Sequence, residues 1–126
     1  MLITPLYAAI IALLFVALSV RTLRLRHRFR VAIGSGDNRV LERAARAHAN
    51  FAEYVPLALV LIFFLEIQTG NTLLVHILCA ALVIGRLSHA YGVSQTKENF
   101  RFRVFGMAMT FTVILSSAGR LILAYF

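Results

Sequence analysis

Three stretches of this 126-residue chain, residues 1–20, 67–85 and 104–119, carry no formal charge. Runs of that length approach the roughly 20 apolar residues an α-helix needs to cross about 30 Å of hydrocarbon. The charges are gathered between them: eleven lie from Arg21 to Glu53, four from Lys97 to Arg103, and only Glu66, Arg86 and Arg120 stand elsewhere. With 60% hydrophobic and 14% charged residues, the chain has too little polar surface for a soluble domain, where about 45–50% and 25% are usual. An integral membrane protein is expected, as one domain over residues 1–126.

Four spans are expected, at about residues 4–20, 45–67, 72–91 and 101–125. Met1–Val20 has neither a basic leader nor a small-residue cleavage site, so it is expected to stay as a membrane helix. Pro5 suits a first helical turn. Gly34-Ser35-Gly36-Asp37-Asn38 reads as a turn, with Asp37 or Asn38 capping a second helix that starts at Arg39. Thr69-Gly70-Asn71 is a tight turn, and Gly92 is expected to end the third helix. Short connections between four spans predict an all-α, antiparallel four-helix bundle. A β-barrel would alternate in polarity, and these runs are continuous.

The net charge of +8 reads as basic loops flanking membrane spans, and no soluble scaffold is expected to present it to nucleic acid. The first and third loops hold nearly all of it, which predicts that they face the cytoplasm. The compact loops and the lack of an ER-retention tail after Phe126 point to a bacterial inner membrane. Cys79 stands alone in an apolar run and is expected to be a small buried side chain. His76 is expected to be hydrogen-bonded or interfacial. Glu66 and Arg120 are expected at the opposite membrane boundary, pairing or reaching water. No metal-ligand spacing occurs.

The informative residues are the polar ones inside spans, since a charge at a span centre costs roughly 2.5–3.5 kcal/mol. Span two contains Arg46, His48, Asn50 and Glu53, and span three contains Arg86 and His89. Arg46, Asn50 and Glu53 fall within about 60° on one helical face, and Arg39 and Arg43 extend it. An Arg86–Glu53 ion pair is geometrically reasonable and would hold the bundle together. It leaves Arg46, His48, Asn50 and His89 needing partners, and that surplus of donors suits an anionic ligand.

The run Glu42-Arg43-Ala44-Ala45-Arg46-Ala47-His48-Ala49-Asn50-Phe51-Ala52-Glu53-Tyr54-Val55-Pro56 resembles the signature of the membrane-associated proteins in eicosanoid and glutathione metabolism (MAPEG). Gly85-Arg86-Leu87-Ser88-His89-Ala90-Tyr91-Gly92 resembles that family's third-span Arg motif. The resemblance covers essentially the whole chain. It implies a homotrimer binding glutathione between subunits near the cytoplasmic face, with a small lipophilic substrate entering from the lipid. It implies that Arg46, His48, Asn50, Glu53, Tyr54, Arg86 and His89 hold glutathione or support its pocket. An Arg at the start of the fourth span stabilises the thiolate in several members, and Arg101 and Arg103 stand near that place. Two functions are therefore expected in order: a glutathione-dependent transferase or peroxidase, or a catalytically silent binding or structural protein of the same fold. A small ion channel or transporter is a third reading, because intramembrane charges also mark ion pathways.

Overall fold

In the computed structural model, which describes residues 1–126, the chain forms four helices and no strand: α1 (Thr4–Phe29), α2 (Arg39–Thr69), α3 (Thr72–Ser94) and α4 (Phe100–Leu123). Each is long and apolar enough to cross a membrane. Asparagine starts three of them. The side chains of Asn38, Asn71 and Asn99 accept the backbone N–H of Leu41, Leu74 and Arg101 at 3.0, 3.0 and 3.1 Å. Each satisfies a donor that a helix N-terminus would leave unpaired.

The start of α1 is capped from afar. Pro5 fills its first turn, but Ile3 offers no side-chain cap. Instead the carboxylate of Glu66 accepts the N–H of Thr4 at 2.9 Å and the N–H of Ile3. Glu66 is therefore buried and paired with backbone, the first of the two outcomes expected for it. Charge-assisted bonds to a helix N-terminus contribute about 1–2 kcal/mol. They also pin the N-terminus of α1 to the C-terminal end of α2.

Two helices differ from expectation at their ends. α1 continues past Val20 to Phe29, because the arginines there project from a helix and not from a loop. It stops at Arg30, which takes a left-handed conformation (φ 54°) and returns its N–H to the carbonyls of Arg26 and His27. α3 runs through Gly92 to Ser94. Gly92 is a contact glycine there, since a Cβ on it would lie 2.8 Å from the backbone nitrogen of Arg103.

Neighbouring helices run antiparallel. Thr4 meets Glu66, Ser19 meets His48, Asn50 meets Arg86, and Gly85 faces Gly106. α3 and α4 form the closest pair, α1 rests on α2 and touches α3, and α1 does not reach α4. The core lies between α2 and α3, where Val55, Ala58, Ile62 and Leu65 pack with Val75, Leu78, Cys79 and Leu82, joined by Ile11 and Val113. Cys79 is fully buried, and His76 bonds through Nδ1 to the Tyr7 hydroxyl at 3.2 Å.

Between α3 and α4 the backbones touch. A Cβ at Gly106 would sit 2.5 Å from the Gly85 carbonyl oxygen and 2.6 Å from both the nitrogen and Cβ of His89. Small residues let membrane helices approach in this way, since apolar burial alone does not drive their association in lipid.

Candidate functional site

The first two turns of α2 turn Arg39, Arg43 and Arg46, with Glu42, toward a polar cavity, and the loop before α4 brings a carboxylate to meet them. The result is a cavity of about 240 Å³ lined by Arg39, Glu42, Arg43, Arg46 and Asn50 of α2, His89 and Val93 of α3, Glu98 of the loop, and Arg103 of α4.

Glu98 organises one side. Its Oε2 lies 2.9 Å from Arg43 Nη1 and its Oε1 lies 3.4 Å from Arg103 Nη1. Arg43 also donates to the carbonyl of Val93 at 3.1 Å, near the C-terminal end of α3, where a cation offsets the helix dipole. The hydrogen bond from Arg43 holds the Glu98 carboxyl below the ordinary carboxylate range, and the charges of Arg43 and Arg103 act in the same direction against its burial. A depressed carboxyl stabilises the fold above its unfolded-state range near 4.3, and that contribution is lost as pH falls through its folded value. Melting between pH 7 and pH 3 is therefore expected to show a larger acid loss in the parent than in Glu98→Gln. Equal losses would mean that the clamp carries no linked stability.

The other side of the cavity is unpaired. The two ion pairs to Glu98 are the only ones in the chain, so Arg39, Arg46 and Glu42 have no ionic partner. Four guanidiniums and two carboxylates line the cavity, an excess of positive charge facing an open polar space.

The residues expected at the site divide into three groups. Arg46, Asn50, His89 and Arg103 line the cavity. Arg86 and Tyr54 stand behind it. Arg86 is buried and donates to Asn50 Oδ1 at 2.8 Å, to the Gly106 carbonyl at 3.2 Å and to Met107 Sδ at 3.4 Å. The Tyr54 ring lies 5.9 Å from its guanidinium and edge-on to Phe111. Arg86 thus orients Asn50 from behind. The expected Arg86–Glu53 ion pair is absent, and Asn50 takes the place of the carboxylate. Glu53 sits three residues on, about 60° around the helix from Asn50, and is exposed with no ion pair.

The third group faces elsewhere. His48 is about 200° from Arg46 on the helix. It therefore points at α1, where Nε2 lies 2.9 Å from Ser19 Oγ and the ring stacks on Phe15 at 4.8 Å. Arg101 is exposed on α4 outside the cavity lining, so of the two candidate arginines only Arg103 reaches it. The arginines from Arg21 to Arg28 on α1 and Arg30 at its C-cap also lie outside it.

Glu42, Val93 and Glu98 are cavity residues that sequence reasoning did not single out. For Glu98 a signal existed: it is the lone acid among Lys97, Arg101 and Arg103, directly before a helix-capping asparagine.

A sequence profile of the MAPEG family matches residues 4–123, and the chain belongs to that family. It is similar to the inner membrane protein YecN of Escherichia coli strain K12, with 41% identity over 113 residues, covering 90% of this chain and 85% of YecN. YecN of Escherichia coli O6:H1 (strain CFT073) matches to the same extent. No solved structure matches the chain significantly.

Proposed function

We propose that the cavity binds glutathione and that the protein is a glutathione-dependent transferase or peroxidase acting on lipophilic electrophiles or hydroperoxides. The observation that carries this reading is the pair of unpaired guanidiniums, Arg39 and Arg46, in a cavity that Arg103 also lines. Glutathione presents two carboxylates, an ammonium and a thiol. Arg39 and Arg46 suit the carboxylates through charge-assisted hydrogen bonds, and Glu42 is the cavity carboxylate free to take the ammonium.

Arg103 is the residue suited to the thiol. A free thiol has a pKa near 8.5 and is mostly protonated at neutral pH. Lowering it by about two units needs roughly 2.7 kcal/mol of preferential stabilisation of the thiolate, which one guanidinium in a low-dielectric site can supply. The thiolate then attacks an electrophilic carbon and expels its leaving group. With a hydroperoxide, two glutathiones reduce it to alcohol and water and become the disulfide.

We also propose a homotrimer in a bacterial inner membrane, with the basic end in the cytoplasm. Glu53 supports assembly. It lies roughly 24 Å of helix from Thr69, exposed beside Leu57 and Val60 and with no partner in its own chain. A lone carboxylate facing lipid is costly, whereas a second copy with its ligand would cover it.

One observation favours the catalytically silent reading: Glu98 already engages Arg103. Conjugation of glutathione to a chloronitroarene by detergent-purified protein separates the two. The enzyme reading predicts acceleration over buffer and a roughly 20-fold fall at pH 7 in Arg103→Gln, the change in thiolate fraction for two pKa units. Glutathione binding without acceleration would favour the silent protein.

A further inference from the structure

A shallow groove runs along the outer surface of α1, away from the cavity. It is lined by Leu13, Val16, Ala17, Val20 and Leu25, with Arg21 and Arg24 at its basic end. Leu13 is 72% exposed and Val16 54% exposed, and α4 does not reach α1 to cover them. The charges above the groove differ in their engagement. Arg21 donates to Ser94 Oγ, and Arg26 donates to the carbonyls of Ala32 and Gly34 at 3.3 and 2.9 Å. Arg24 and Arg28 are exposed and have no acidic partner.

Helix geometry puts these two arginines in register with the apolar track. Arg24 and Arg28 are four residues apart, about 40° around the helix, and Leu13 and Val20 lie within about 40° of Arg24 on the same side. Twenty residues of α1, from Thr4 to Leu23, rise roughly 30 Å and account for the hydrocarbon thickness. Arg24 and Arg28 then fall in the headgroup layer, directly beyond the exposed track.

We propose that this face of α1 binds an anionic glycerophospholipid, one acyl chain along Leu13, Val16 and Val20 and the phosphate between Arg24 and Arg28. A free phosphate would use the arginines and leave the apolar track unused. A zwitterionic lipid would use the track and gain little from two guanidiniums without counter-charge. The proposal is independent of what the cavity binds.

The test uses the full chain reconstituted in phosphatidylcholine vesicles, with spin-labelled phosphatidylglycerol or spin-labelled phosphatidylcholine as probe. Electron paramagnetic resonance reads the fraction of each that the protein immobilises. Phosphatidylglycerol is expected to be preferred in the parent, and the preference to fall by about fivefold for each arginine removed in Arg24→Gln and Arg24→Gln/Arg28→Gln. Arg101→Gln on α4 is expected to leave it unchanged. Three results would each overturn the proposal. The parent could show no preference, as when a second copy covers α1. The preference could be lost equally in Arg101→Gln, as for a diffuse basic surface. Millimolar inorganic phosphate could abolish it, as for a soluble-anion site.

Discussion

Gly106→Ala is expected to lower the melting temperature in detergent by more than any other single methyl added to a helix of this protein. The added carbon would lie 2.5 Å from the Gly85 carbonyl oxygen and 2.6 Å from His89 backbone. Those neighbours are main chain, so α3 and α4 have to separate. Separation also lengthens the bond from Arg86 Nη2 to the Gly106 carbonyl, now 3.2 Å, and leaves a buried guanidinium less satisfied. Overpacking costs about 1–3 kcal/mol and a weakened bond to a charged group about 1.5–3 kcal/mol. The sum corresponds to a loss on the order of 10 °C for a chain of this size. Gly119→Ala is the control, because a Cβ there meets nothing within 4 Å and alanine favours a helix by up to about 1 kcal/mol. Similar melting temperatures for the two variants would refute the close contact of α3 and α4.

The second large effect is on binding. Arg39→Ala and Arg46→Ala each remove a guanidinium with no ionic partner in the chain, so little of the fold depends on them. Each is expected to weaken glutathione by about tenfold or more, since a hydrogen bond between charged groups contributes roughly 1.5–3 kcal/mol. Arg43→Ala is expected to act differently. It takes the main partner from Glu98 and the bond from the Val93 carbonyl, so its effect should include a loss of melting temperature that the other two lack. Equal stability losses in all three would mean that Arg39 and Arg46 are structural as well.

The four helices were legible because uncharged runs of span length admit few other folds. The cap of α2 was legible to within two residues, Asp37 or Asn38, because both precede a polar-to-apolar helix after a glycine turn, and Asn38 fills it. Gly92 misled because a glycine near a helix end resembles a terminator, while its role is set by a helix that follows it in the chain. Long-range pairing was equally hidden. Glu66 caps α1 across 62 residues and Glu98 meets Arg43 across 55, and no local pattern reports either. At the site, the stripe of Arg46 and Asn50 emerged from helical period alone. His48 entered as a polar residue inside a span and again by family resemblance, and its helical phase turns it to α1. The Arg86–Glu53 pair failed for a related reason: charge sign suggested the partner, and angular position on α2 put Asn50 there instead.

Calorimetric titration of glutathione into the detergent-purified parent, with Arg46→Ala beside it, tests the central claim most directly. The account predicts saturable binding in the parent, weakened about tenfold or more in a variant that melts normally. Absence of binding by the folded parent, or unchanged binding in Arg46→Ala, would contradict it.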